Sequence, residues 1–205
     1  MTSAENRSGH SGRMGAVWFD SHAHVDHLDE TAALDMCERA SAAGVGTILA
    51  VGGTPAMNAA AVRLAAQRPG QVAAAVGWDR TLASAPPSVE ELKALFARHE
   101  TIVAVGETGL DYHYERDTAT QQRRLFADML ALAAELGQPV IVHTREADAD
   151  TLAMLRQHTA AWRGAADRIG VIHCFTGGWP FASALLDLGW YISFSGIVTF
   201  RGAAA

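Results

Sequence analysis

The chain has 205 residues, 49% of them apolar, and a formal net charge of -6, which allows one sizeable core and excludes two large domains. Lys93 is the single lysine among 16 cationic side chains, and no basic run of the kind that forms an electrostatic nucleic-acid platform occurs anywhere. Two cysteines, Cys37 and Cys174, are too few for a disulfide framework; they suit a reducing compartment, and a cytoplasmic location is expected.

Residues 1–15 are rich in Ser, Gly and charge and lack the apolar core of a signal peptide, so a disordered leader is expected there, with one domain over 16–205. No apolar run approaches the roughly 20 residues that span a bilayer. A monomer that does not enter the membrane is expected. From residue 16 onward, short apolar runs alternate with amphipathic stretches, at 16–19, 47–51, 72–76, 102–105, 140–142, 170–172 and 190–194. The runs do not alternate in polarity, which suits parallel strands covered on both faces. Between them, Ser88 with Glu91 and Thr118 with Gln121 have capping-box spacing, Gly137 ends the second of these helices, and Pro180 and Gly189 bracket a short one.

Strand starts are spaced by 20 to 38 residues. A repeating βα unit of that length predicts an α/β protein of the TIM-barrel (β/α)8 type, with seven strands visible. Eight units use about 250 residues, so the chain is expected to be C-terminally incomplete, with its eighth strand missing and the first and seventh strands unpaired at their edges. A doubly wound open sheet shares the alternation and is the structural rival, although no Gly-rich dinucleotide fingerprint follows the first strand.

Potential metal ligands stand where the apolar runs end. Period-2 geometry sends His22 and His24 to one face at the end of the first run, while Glu107, His143 and His173 close the fourth, fifth and sixth. Two histidines alone are equally well read as satisfied by carbonyls; three further ligands at strand ends favour metal. The remaining histidines have no such placement: His10 lies in the leader, His99 and His158 on helices, His27 and His113 in loops. Four imidazoles and a carboxylate exceed the needs of one tetrahedral site, so two divalent ions (Mg, Mn or Zn) are expected, with Glu107 between them because each carboxylate oxygen can face one ion. Such a pair favours hydrolysis.

Four ordered stretches, Phe19-Asp20-Ser21-His22-Ala23-His24-Val25-Asp26, Gly106-Glu107-Thr108-Gly109-Leu110-Asp111-Tyr112, Val142-His143-Thr144-Arg145-Glu146-Ala147 and Ile172-His173-Cys174-Phe175-Thr176-Gly177-Gly178, resemble the signatures of the TatD family of metal-dependent hydrolases. The resemblance extends through Tyr191-Ile192-Ser193-Phe194-Ser195-Gly196. It implies a TIM barrel and a metal-dependent deoxyribonuclease acting as a phosphodiesterase, with DNA as substrate. His22 and His24 would then hold one ion, Glu107 would bridge, and His143 and His173 would hold the second. Two departures stand out. The family's strand-eight aspartate, in a Thr-Asp-Ala/Ser-Pro motif, is absent, and Gly77-Trp78-Asp79 stands where the family has His-Pro.

Around these ligands, Arg145 follows His143 by two residues and is the candidate for a substrate phosphate, the rival reading being an ion pair with Glu146 or Asp148. Asp20 and Asp26 flank the histidine pair and are candidates to receive a ligating imidazole's second N–H. Asp111 reads as a loop organiser. Tyr112, Tyr114, Phe175 and Trp179 are divided between packing the loops and offering faces on which bases stack. The alternatives to a DNase are a related hydrolase acting on a small phosphodiester and a truncated, catalytically impaired barrel fragment that binds metal. A barrel hydrolase bridging its ions with a modified lysine is disfavoured because Lys93 lies inside a helix.

Overall fold

The computed structural model describes residues 17–204; the expected leader lies outside them. Strands β1 (Trp18–Ala23), β2 (Val45–Gly53), β3 (Val72–Trp78), β4 (Ile102–Asp111), β5 (Val140–Arg145), β6 (Gly170–Ile172) and β7 (Tyr191–Ile192) form one sheet in chain order, every neighbouring pair parallel. Six helices separate them: α1 (Glu30–Ala42), α2 (Pro55–Gln67), α3 (Val89–Arg98), α4 (Ala119–Leu136), α5 (Asp148–Ala161) and α6 (Trp179–Asp187). A strand order that never reverses excludes the doubly wound rival.

The sheet is strongly curled. Five strand spacings of about 4.8 Å would hold the ends of β1 and β6 some 24 Å apart in a flat sheet. Instead, the ring of His22 on β1 stacks on that of His173, just past β6, with centroids 3.7 Å apart. The result is a half-barrel of the TIM type, open between β1 and β7, and among the described residues no strand closes it.

Alternate residues of the strands serve two apolar layers, as the uninterrupted runs predicted. Ile48, Ala50, Val72, Ala74, Val76, Val105, Val140, Val142 and Ile172 face outward into the main core beneath the helices. Leu49, Val51, Ala75, Ala104 and Ile141 form a smaller layer on the inside of the curl.

Helix starts follow local chemistry. Asp29 accepts from the Ala32 amide to cap α1, Thr54 from Met57 to cap α2, and Ser88 from Glu90 to cap α3. Gly137 ends α4 in the left-handed conformation, at φ 63°. The expected Thr118–Gln121 capping box does not form. Gln122 takes over: its fully buried amide binds both backbone groups of Asp111, the Glu115 carbonyl and the Thr118 hydroxyl, tying α4 to the end of β4.

β4 runs six residues beyond its apolar run, because Thr108–Asp111 continue the ladder against β5 after a register shift that follows Val105. Only glycine fits at 109: a Cβ there would lie 2.0 Å from the His143 carbonyl oxygen. Glu107 therefore sits inside the strand, at the register shift, rather than at its end.

Candidate metal centre

The five expected ligands converge at the carboxyl ends of the strands. His22 is on β1 and His24 one residue past it; Glu107 is on β4, His143 on β5, and His173 follows β6. Glu107 is buried, 5% exposed, at the centre of the four rings. Its Oε2 lies 3.4 Å from His22 Nε2 and 3.2 Å from His24 Nε2, which are 3.0 Å apart. Its Oε1 lies 3.3 Å from His143 Nδ1 and 2.9 Å from His173 Nε2, which are 3.3 Å apart. The carboxylate is thus divided between two triads, each able to hold an ion.

The donor spacing is the test of fit. Three donors each about 2.1 Å from one ion must stand roughly 3.0–3.4 Å from one another in tetrahedral or octahedral geometry. Both triads match. Imidazole and carboxylate together suit Zn or Mn by chemistry, and each triad leaves coordination positions for water or substrate.

Protonation is arranged to suit. His24 Nδ1 lies 3.1 Å from the Val51 carbonyl oxygen, which can only accept, so Nδ1 donates there and Nε2 is the atom turned to Glu107. Burial alone would raise the Glu107 carboxyl, but hydrogen bonds from His143, His173, His22 and His24 outweigh it and hold the group far below the usual carboxylate range. The hydrogen bond to Glu107 in turn raises His24, whereas burial lowers His173.

The expected ring-orienting role of Asp20 and Asp26 is corrected by the structure. Asp20 is exposed and its carboxylate accepts from the backbone N–H of His22 at 3.0 Å; Asp26 is exposed, and among the described residues neither receives the ring N–H of a ligating histidine. Val51 O serves His24, and Asp111 serves His143: Asp111 Oδ2 lies 3.2 Å from His143 Nε2. Asp111 also organises its loop as expected, its Oδ1 accepting from the amides of His113 and Tyr114.

Arg145 is exposed with its guanidinium over the Tyr114 ring, 4.6 Å from the centroid, and among the described residues it forms no ion pair with Glu146 or Asp148. Glu146 pairs instead with His113 at 2.6 Å. Arg145 lines a polar cleft with Thr144, Thr176, Gly177 and Gly178. The aromatic set divides: Phe175 is buried against Phe181 and the Tyr112 hydroxyl donates to Asp150, while Tyr114 and Trp179 are 68% and 74% exposed. Lys93 pairs with Glu90 and Glu135 on the helical surface, away from the ligands.

Three polar residues beside the centre escaped sequence reading. Buried Asn58, in α2, accepts from the amides of Gly53 and Gly77 and donates to the Gly77 carbonyl, clamping the ends of β2 and β3. Gln122 secures the end of β4. Arg80 lies between Asp79 and Asp111, following the Gly77-Trp78-Asp79 departure; Trp78 itself is core, 1% exposed. Their common signal, a polar side chain in the turn or first helical turns after a strand, is shared by ordinary surface positions.

The family profile described as TatD related DNase matches residues 19–205. The chain belongs to the TatD family. Its metal-dependent hydrolase relatives include Escherichia coli K12 YcfH, 43% identical over 188 residues that cover 90% of this chain and 68% of YcfH. A Klebsiella pneumoniae relative named 3'-5' ssDNA/RNA exonuclease TatD is 37% identical over 164 residues, covering 80% of this chain and 60% of its own. The crystal structure of the TatD homologue YjjV from E. coli K12 superposes with a TM-score of 0.77 at 29% identity, over 89% of this chain and 70% of that one. This TatD-family chain is accordingly a metal-dependent hydrolase on a TIM-type half-barrel. No helix among its described residues is long and apolar enough to cross a membrane.

Proposed function

We propose that the chain hydrolyses phosphodiester bonds of single-stranded DNA, with one divalent ion at His22, His24 and Glu107 and a second at Glu107, His143 and His173. The observation that carries the reading is the division of one buried carboxylate between two imidazole pairs at ion-holding distances. Divalent ions held there would supply positive charge to a phosphoryl oxygen and acidify a water.

The protein's own part is positioning and charge. Glu107 stays anionic, so it is an acceptor throughout and keeps four rings turned inward. His24 is fixed with its proton on the far nitrogen. Arg145, stacked on Tyr114 at the rim, offers a planar fork to a phosphate, and the exposed faces of Tyr114 and Trp179 offer stacking surfaces to unpaired bases. Nucleic acid as substrate is supported by the family description and the name of the Klebsiella relative. The acidic net charge and the lack of a basic platform favour the second reading, a small phosphodiester gripped only at the centre.

The test is nucleotide release from a single-stranded oligonucleotide with added Mn, against EDTA and Glu107→Ala controls. Metal-dependent release that falls by roughly 10³-fold or more in the variant is expected, since several kcal/mol of charge stabilisation are lost. Release that persists in folded Glu107→Ala would overturn the bridging role. A folded, metal-loaded protein that cleaves a small phosphodiester and leaves the oligonucleotide intact would replace DNA by the second reading.

A further inference from the structure

We infer that Arg80 and Asp111 are positioning residues that fix the tautomer and orientation of His143, through a line of alternating charges, Asp79, Arg80, Asp111, that runs from the end of β3 to β5. Arg80 Nη1 donates to Asp79 Oδ2 at 2.6 Å, and its Nε stands 3.3 Å from Asp111 Oδ2 in an ion pair. The same Asp111 oxygen lies 3.2 Å from His143 Nε2. The line is anchored at both ends. The Asp79 amide donates to the Gly53 carbonyl while its Oδ1 accepts from Thr81, and Asp111, fully buried, is held by Gln122 and by two loop amides.

The chemistry follows from acceptor counting. An ionised carboxylate has no proton to give, so the contact requires that His143 Nε2 donate. With Nε2 donating to Asp111, Nδ1 is the atom left to face Glu107 Oε1, a donor to that carboxylate in the metal-free protein and the nitrogen that would give up its proton to hold an ion. Orientation and tautomer of a metal-binding histidine are set in this way by the group on its far nitrogen. Arg80 keeps the carboxylate from swinging away: it is the one cation against Asp111 Oδ2 among the described residues, and its side chain is only 18% exposed. Asp79 in turn holds the guanidinium beside Asp111, where the contact is an ion pair.

The consequence of Asp111→Asn is specific. The Asn Oδ1 would remain on the amides of His113 and Tyr114, which can only donate, leaving its NH2 to face His143 Nε2. An NH2 is a donor, so Nε2 must accept and the His143 proton must move to Nδ1. That leaves the ring's single proton on Nδ1, the nitrogen whose lone pair would be needed to hold an ion.

The experiment is two-armed. Long-range ¹H–¹⁵N spectra of histidine-labelled, metal-free protein report the His143 tautomer directly, and calorimetric titration with Mn reports affinity. Only the second arm rests on the proposed metal reading, so a failure of that reading leaves the first intact. The expected result is a proton on His143 Nε2 in the parent, a bare Nε2 with the proton on Nδ1 in Asp111→Asn, and about 10–100-fold weaker Mn binding in that variant. Arg80→Met leaves the loop hydrogen bonds in place, so it serves should Asp111→Asn fail to fold. It is expected to broaden or shift the His143 resonances and weaken Mn binding several-fold, with partial recovery in Arg80→Lys. An Nδ1–H tautomer in the parent, or His143 spectra identical to the parent in folded Asp111→Asn or in Arg80→Met, would overturn the inference.

Discussion

At the scale of single residues, the centre was legible because its ligands obey strand geometry. His22 and His24 are two apart, and period 2 sends them to one side; the structure brings their Nε2 atoms to 3.0 Å. Orienting groups were not legible. Asp20 and Asp26 are adjacent in sequence to the histidines and Asp111 is not, but Asp111 is adjacent in the sheet, where it pairs with Arg145, two residues past His143. The burial of His158 was not legible either: it lies on a helix as read, but is 5% exposed, against the rings of Trp162 and Trp190, and α5 mixes polar and apolar residues around its circumference and shows no clear buried face in sequence. Burial lowers its pKa below the ordinary value of 6.5, so below that pH the unfolded chain takes up a proton that the folded chain resists. Stability should be complete above 6.5 and fall as the pH drops toward the lowered folded value. Urea midpoints measured across that range should decline less steeply in His158→Phe than in the parent; equal slopes would remove the residue from the acid limb.

At the scale of elements, the seven strands were found in the sequence because buried parallel strands are continuous apolar runs. β4 departs furthest from its run. Its second half, Thr108–Asp111, carries polar residues and glycine because it forms the wall of the site, and polarity there hides a strand. α4 shows the same effect, since Gln122 looks like a helix-surface glutamine and is a buried brace. Removing it in Gln122→Ala leaves the Asp111 amide without its partner, in a place closed to water. A loss of about 1–3 kcal/mol is expected, seen as a lower urea midpoint at unchanged m-value. An unchanged midpoint would show that the α4–β4 junction is held by apolar packing from Leu125, Phe126 and Met129 alone.

At the scale of the molecule, the curl of the sheet makes the centre. Residues on strands as far apart as β1 and β6 share Glu107 only because the half-barrel brings strand ends to one mouth. The open side between β1 and β7 leaves Trp18, Phe19, Tyr191 and Phe194 more than half exposed, and a cleft there reaches His22 and His173. The unpaired edges of the first and last strands were legible as the consequence of seven strands; the cleft between them and the depth of curl that stacks His22 on His173 were not, since strand spacing in sequence carries no curvature.

The central claim is that one carboxylate serves two ion sites. The most direct measurement is the Mn or Zn stoichiometry of the purified chain and of folded Glu107→Ala, by calorimetric titration with metal analysis. About two equivalents per chain, as two triads require, with binding at both lost or greatly weakened in the variant, is the predicted result. A single equivalent in the parent, or two that survive the loss of Glu107, would contradict the shared carboxylate.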